Sequence, residues 1–127
     1  MSAERAITRM QHHDQRWRGD VMSMYLMRAS YSPEGALGLI RNGASYRQRA
    51  VVELCESVGG TLESMYYAFG DTDVFIIADL PNNTSAAALS LAVNSTGAVK
   101  ATVTPLLSVE EMDAAAEIEV NYSGPNA

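Results

Sequence analysis

The chain has 127 residues, a mass of 13.7 kDa, 47% apolar and 19% charged side chains, which describes one globular domain and excludes a disordered polymer. Nine basic and fifteen acidic groups leave a net charge of −6. That sign excludes non-specific nucleic-acid binding and attachment to an anionic membrane, both of which need a basic patch. The single cysteine excludes an internal disulfide and a cysteine-rich zinc site.

The charge is uneven. Residues 1–21 carry Arg5, Arg9, Arg16 and Arg18 against Glu4, Asp14 and Asp20, a balance of +1, and the remainder is at −7. This first stretch reads as an N-terminal arm, either unstructured or a weak helix with Ile7, Met10 and Trp17 gripping a partner subunit. A start site placed too early is a further alternative, because Met22 and Met24 stand just before the first strand. The arm holds both histidines, His12 and His13, whose adjacency on an arm is no preorganised metal site. No run of apolar residues is long enough for a secretory signal or a membrane span, the longest being Val74 to Ala78, so a cytoplasmic protein is expected. The sequons at Asn82, Asn83, Asn94 and Asn121 are then chance matches.

The domain proper is expected over residues 22–120, with a loose tail at 121–127. Met22 to Ser30 predicts a strand with apolar residues on both faces, as in a covered central strand. Ser32, Pro33 and Glu34 then supply an N-cap, a first-turn proline and a first-turn acid, so a helix starts there. Asn42-Gly43 interrupts it, and it resumes over Ala44 to Val58 with Val51, Leu54, Cys55 and Val58 as a buried stripe. Arg47, four residues before Val51, extends that stripe. Thr61 to Phe69 and Asp73 to Leu80 predict a hairpin joined by Gly70-Asp71-Thr72. A helix rich in small residues, capped by Thr84 or Ser85, runs to about Ser95, its alanines suiting close approach to a sheet. Ala98 to Thr104 alternates cleanly, as an edge strand does, and Ser108 caps an acidic helix from Val109 to Glu119.

The order strand, helix, strand, strand, helix, strand is the split βαβ pattern of α+β, ferredoxin-like domains, with an antiparallel sheet and both helices on one face. The other sheet face is still apolar on its central strands. A second subunit is expected to cover it, sheet against sheet.

Five stretches together resemble the GYD-domain family: Tyr31-Ser32-Pro33-Glu34-Gly35; Gly59-Gly60 with Leu62-Glu63-Ser64; Tyr67-Ala68-Phe69-Gly70-Asp71 with Asp73-Val74; Asp79-Leu80-Pro81; and Thr104-Pro105-Leu106-Leu107 with Val109-Glu110-Glu111-Met112. The resemblance spans about Met24 to Met112. Members are small, mostly bacterial proteins of undetermined function, grouped with the dimeric α+β barrels. It therefore implies a sheet-to-sheet homodimer, or a higher homo-oligomer built from dimers. The naming motif falls at Gly70 to Asp73, where Thr72 stands in place of the family's frequent tyrosine.

The candidate ligand-binding residues are Arg47, Tyr25, Tyr66, Tyr67, Asp71 and Asp73. Arg47, aligned with a buried stripe, needs either a carboxylate such as Asp79 or Glu63 or an anionic ligand. Tyr25, Tyr31, Tyr66 and Tyr67 supply hydroxyls and ring faces to a pocket, or pack as ordinary strand tyrosines. Asp71 and Asp73 belong either to a binding loop or to a plain turn, with too few oxygens for a calcium site. Cys55 reads as an inert core thiol. The domain contains no histidine, which argues against Ser-His or Cys-His catalysis and against histidine-ligated haem, and no glycine loop precedes a helix to cradle phosphate. No cofactor or metal is expected. The first expectation is a homo-oligomeric small-molecule binding protein. A structural or regulatory assembly module comes second, and third a cofactor-independent oxygenase or isomerase, by analogy of fold alone.

Overall fold

The computed structural model of the chain describes residues 23–126. The expectations for the arm, His12 and His13 included, lie outside the described residues. Four strands and four helices follow one another within them: β1 (Ser23–Tyr31), α1 (Pro33–Asn42), α2 (Ala44–Ser57), β2 (Thr61–Tyr67), β3 (Val74–Leu80), α3 (Asn83–Ser95), β4 (Val99–Pro105) and α4 (Val109–Glu117). The strands form one antiparallel sheet in the order β2-β3-β1-β4, so β1 and β3 are central. This is the ferredoxin-like α+β arrangement, with its first helix broken in two and a fourth helix appended.

Local chemistry sets the breaks. The Ser32 hydroxyl accepts the Gly35 N–H at 3.1 Å and starts α1, with Pro33 in its first turn. Gly43 adopts φ 88°, which a side chain resists, and its N–H closes α1 on the Leu39 carbonyl at 2.8 Å. Gly35 is needed for another reason: a methyl there would collide with the Ala98 carbonyl, the group that accepts the Ser32 N–H. The cap of α3 is Asn82, whose side chain accepts the Ser85 N–H at 2.8 Å, so this helix begins earlier than a Thr84 or Ser85 cap predicts. Asparagine ranks at least level with serine and threonine in that role. Ser108 and Glu111 form a reciprocal capping box on α4.

Strand alternation divides the sheet into two faces. Tyr25, Met27 and Ala29 of β1 and Val74, Ile76, Ala78 and Leu80 of β3 are buried under the helices, with Val51 and Cys55 of α2 and Ala86 and Leu89 of α3. Leu26, Arg28, Phe75, Ile77 and Asp79 alternate with them and belong to the opposite face. A bulge between Leu62 and Ser64 puts Ser64 and Tyr66 on that face too, opposite Ile77 and Phe75. Phe75 is 38% exposed and Tyr66 70%. The hairpin is longer than its turn residues predict. β2 stops at Tyr67, and Asp73 stays outside β3 because its side chain, not its backbone ladder, takes the Tyr31 N–H, at 2.8 Å. At the β4 edge, the Asn94 carboxamide of α3 accepts the Ala101 N–H at 2.8 Å and donates to the Ala101 carbonyl at 3.0 Å, which ties α3 to the sheet margin.

Candidate functional site

Arg47 sits one turn into α2, directly after the Gly43 break, on the same stripe as Val51 and Leu54. The stripe faces the sheet, so Arg47 borders a cleft between sheet and helices. The inner chamber of this cleft is floored by Met27 and Ala29 of β1 and Ala101 of β4 and walled by Val51, Met65 and Ile76. A water molecule can reach about 40 Å³ of it. Two lobes of about 200 Å³ each open from the same guanidinium. One lies beneath α1, beside Tyr31, Glu34, Asn42 and Tyr46. The other is a groove between α2 and α3, lined by Ala50, Leu54, Ala92, Val93 and Thr96. Among the described residues Arg47 is the one charged residue shared by all three spaces.

Two of the groove's lining residues, Ala50 and Ala92, are small. The alanines of α3, read as serving close approach to the sheet, divide by face: Ala86 is buried in the core while Ala92 leaves the groove open. Neither carboxylate named as a partner for Arg47 holds it. Asp79 belongs to the opposite sheet face, and Glu63, at the bulge of β2, accepts the Thr61 hydroxyl at 3.2 Å. Among the described residues no ion pair engages Arg47.

Tyr67 interacts with two residues of the cleft, Tyr31 and Arg47. Its hydroxyl donates to the Ala44 carbonyl at 3.2 Å. Burial, reinforced by the neighbouring Tyr31 hydroxyl, raises its pKa above the ordinary 10, and Arg47 pulls in the opposite direction without prevailing. At neutral pH the group is therefore a hydrogen-bond donor and not a base.

The other candidates are dispersed. Tyr25 is buried at the far end of β1, where its hydroxyl donates to Asn83 Oδ1 at 2.6 Å and burial raises its pKa. Tyr66 is on the sheet face away from the cleft. Asp73 stays near the cleft through Tyr31, but its carboxylate accepts that residue's backbone N–H. Asp71 is exposed, and its carbonyl accepts the Ser30 hydroxyl at 2.8 Å. Cys55 is fully buried, and burial, helped by the Glu56 carboxylate, pushes its thiol up to about 11. Among the described residues no three histidine, cysteine or acidic side chains gather as a metal site would require. Glu34, Tyr46, Val93 and Thr96 line the lobes without having been singled out in the sequence; the signal for them was their position around the Asn42-Gly43 break and along the small-residue helix.

The GYD domain model matches residues 25–116. The chain belongs to the GYD domain family. No curated protein and no solved structure matches the chain. The GYD match takes in β1 from Tyr25 onward, all of β3, and every described residue that lines the cleft. In this GYD domain the naming stretch is the β2–β3 connection, with Thr72 half-buried and Asp73 fastening the connection to β1. Among the described residues no helix is long and apolar enough to cross a membrane.

Proposed function

We propose that this GYD domain is a homo-oligomeric small-molecule binding protein and that its ligand occupies the cleft around Arg47. One observation carries the reading: Arg47 lines an apolar chamber and both of its lobes, with no ion pair among the described residues to satisfy its charge. A charge placed against apolar walls is costly unless something neutralises it, and a bound anion does so. The neutral Tyr67 hydroxyl and the inert Cys55 thiol favour binding over proton transfer or nucleophilic chemistry.

The oligomer is a pair of sheets packed face to face, forming a dimeric α+β barrel. Leu26 and Ile77, half-buried at the centre of the face away from the helices, with Phe75 and Tyr66 beside them, give that face an apolar middle. Lys100, Thr102 and Thr104 of β4 give it a polar margin, the usual anatomy of a protein interface. The alternative, a structural assembly module, draws on α4, whose Val109 and Met112 are exposed.

Native mass spectrometry of the protein purified from its source tests both parts. The expected result is an even number of chains with a small molecule retained on each. A bare monomer at micromolar concentration contradicts the proposal.

A further inference from the structure

On the basis of that binding reading, we infer that the cleft takes a small organic carboxylic acid, held as its anion by Arg47, with an apolar body of one ring or a short chain. The planar guanidinium matches a carboxylate through two parallel hydrogen bonds. Among the described residues it is the single cation of the cleft, so it balances one negative charge, and a dianion such as phosphate finds no second cation among them.

Apart from Arg47 and Tyr31, the inner chamber offers methyl and methylene groups. Met27, Val51, Met65 and Ile76 form no hydrogen bonds to a second polar group, so a sugar or a zwitterion loses water there without compensation. Size points the same way. Each lobe is about 200 Å³, against about 150 Å³ for an apolar cavity known to hold benzene. The lobe beneath α1 also contains Glu34, which repels an anion. The carboxylate therefore lies on the α2–α3 side of Arg47, and the apolar body lies in that groove beside Leu54 and Val93, with only its tip directed into the smaller chamber toward Ala29 and Ala101.

Calorimetric titration of the full chain tests this with benzoate and hexanoate, set against benzamide, hexylamine and inorganic phosphate. Each acid is expected to saturate one site per chain, about tenfold or more tighter than benzamide, as a charge-assisted hydrogen-bond pair provides. Arg47→Met removes that preference. Arg47→Lys keeps the charge without the fork and loses part of it, and its thermal unfolding shows that the fold is intact. Glu34→Gln tightens the acids a few-fold.

Equal binding of benzamide or hexylamine by the wild type overturns the acid assignment while leaving a small-molecule site in place. So does stronger binding of phosphate, or an unchanged preference in Arg47→Met. No binding by any probe overturns both the assignment and the binding reading.

Discussion

Ala29 of β1 stands directly opposite Ala101 of β4 on the helix-facing side of the sheet, and the two methyl groups form the floor of the Arg47 cleft. Larger β-formers at this pair would fill the chamber from below. Ala101→Val is therefore expected to cost less than about 1 kcal/mol of stability, because its two added methyl groups enter the chamber's empty space instead of a packed core. The same change should weaken carboxylate binding tenfold or more. Denaturant unfolding and calorimetric titration of the one variant check both halves.

Asp73 is a structural residue by this geometry. Its carboxylate accepts the Tyr31 N–H at 2.8 Å, and its own N–H donates to the Ala29 carbonyl at 2.9 Å. Asp73→Ala leaves the Tyr31 N–H without its partner and is expected to cost about 1–3 kcal/mol, whereas Asp73→Asn keeps an oxygen acceptor and costs less. Urea unfolding orders the three proteins as wild type, Asn variant, Ala variant. A calcium or magnesium dependence of that order would point instead to a cation loop.

Much of this architecture is legible in the residues themselves. Ser32-Pro33 and Ser108 announce helix starts, Asn42-Gly43 announces the break, and two-residue alternation sorts the helix-facing and opposite faces of β1 and β3. The cleft is less legible. Alternation places Tyr25 and Tyr31 on the same side of β1, yet six residues separate them by about 20 Å, so one is a core group hydrogen-bonded to Asn83 and the other borders the site. Alternation also assigns Asp79 to the face away from Arg47, a consequence that appears once strand and helix layers are considered together. Alanine is the least informative residue in this respect. Ala86 marks close packing, Ala92 marks a groove, and helical periodicity alone does not say which space a neighbouring element leaves unfilled.

Two glycines of α1, three residues apart, should respond oppositely to alanine. A methyl on Gly35 meets the Ala98 carbonyl, whereas a methyl on Gly38 meets nothing within 4 Å. Gly35→Ala is expected to destabilise by about 2 kcal/mol or more through overpacking, and Gly38→Ala to stabilise by about 0.5–1 kcal/mol through higher helix propensity. Thermal unfolding midpoints of the two variants should fall on opposite sides of the wild type.

Alkaline pH should reveal the buried thiol. Cys55 has a folded-state pKa of about 11 against an ordinary 9, so its contribution is complete below pH 9 and is lost as pH rises through 11. Over that interval the wild type should lose on the order of 2–3 kcal/mol relative to Cys55→Ala. The raised tyrosines, Tyr25 and Tyr67, add a loss of the same sign above pH 10 in both proteins. Unfolding free energies measured at pH 8, 9, 10 and 11 test this, and iodoacetamide should leave the native thiol unmodified at pH 8.

The location of the ligand is the point on which everything else depends, and amide chemical-shift mapping of the full-length protein during a hexanoate titration measures it directly. The amides of Ala29, Arg47, Val51 and Ala101 should move together and saturate, while those of Leu26, Phe75 and Ile77 on the opposite sheet face stay in place. Saturable shifts confined to Tyr66, Phe75 and Ile77, with Arg47 and Ala101 unmoved, would contradict a binding site between the sheet and its helices.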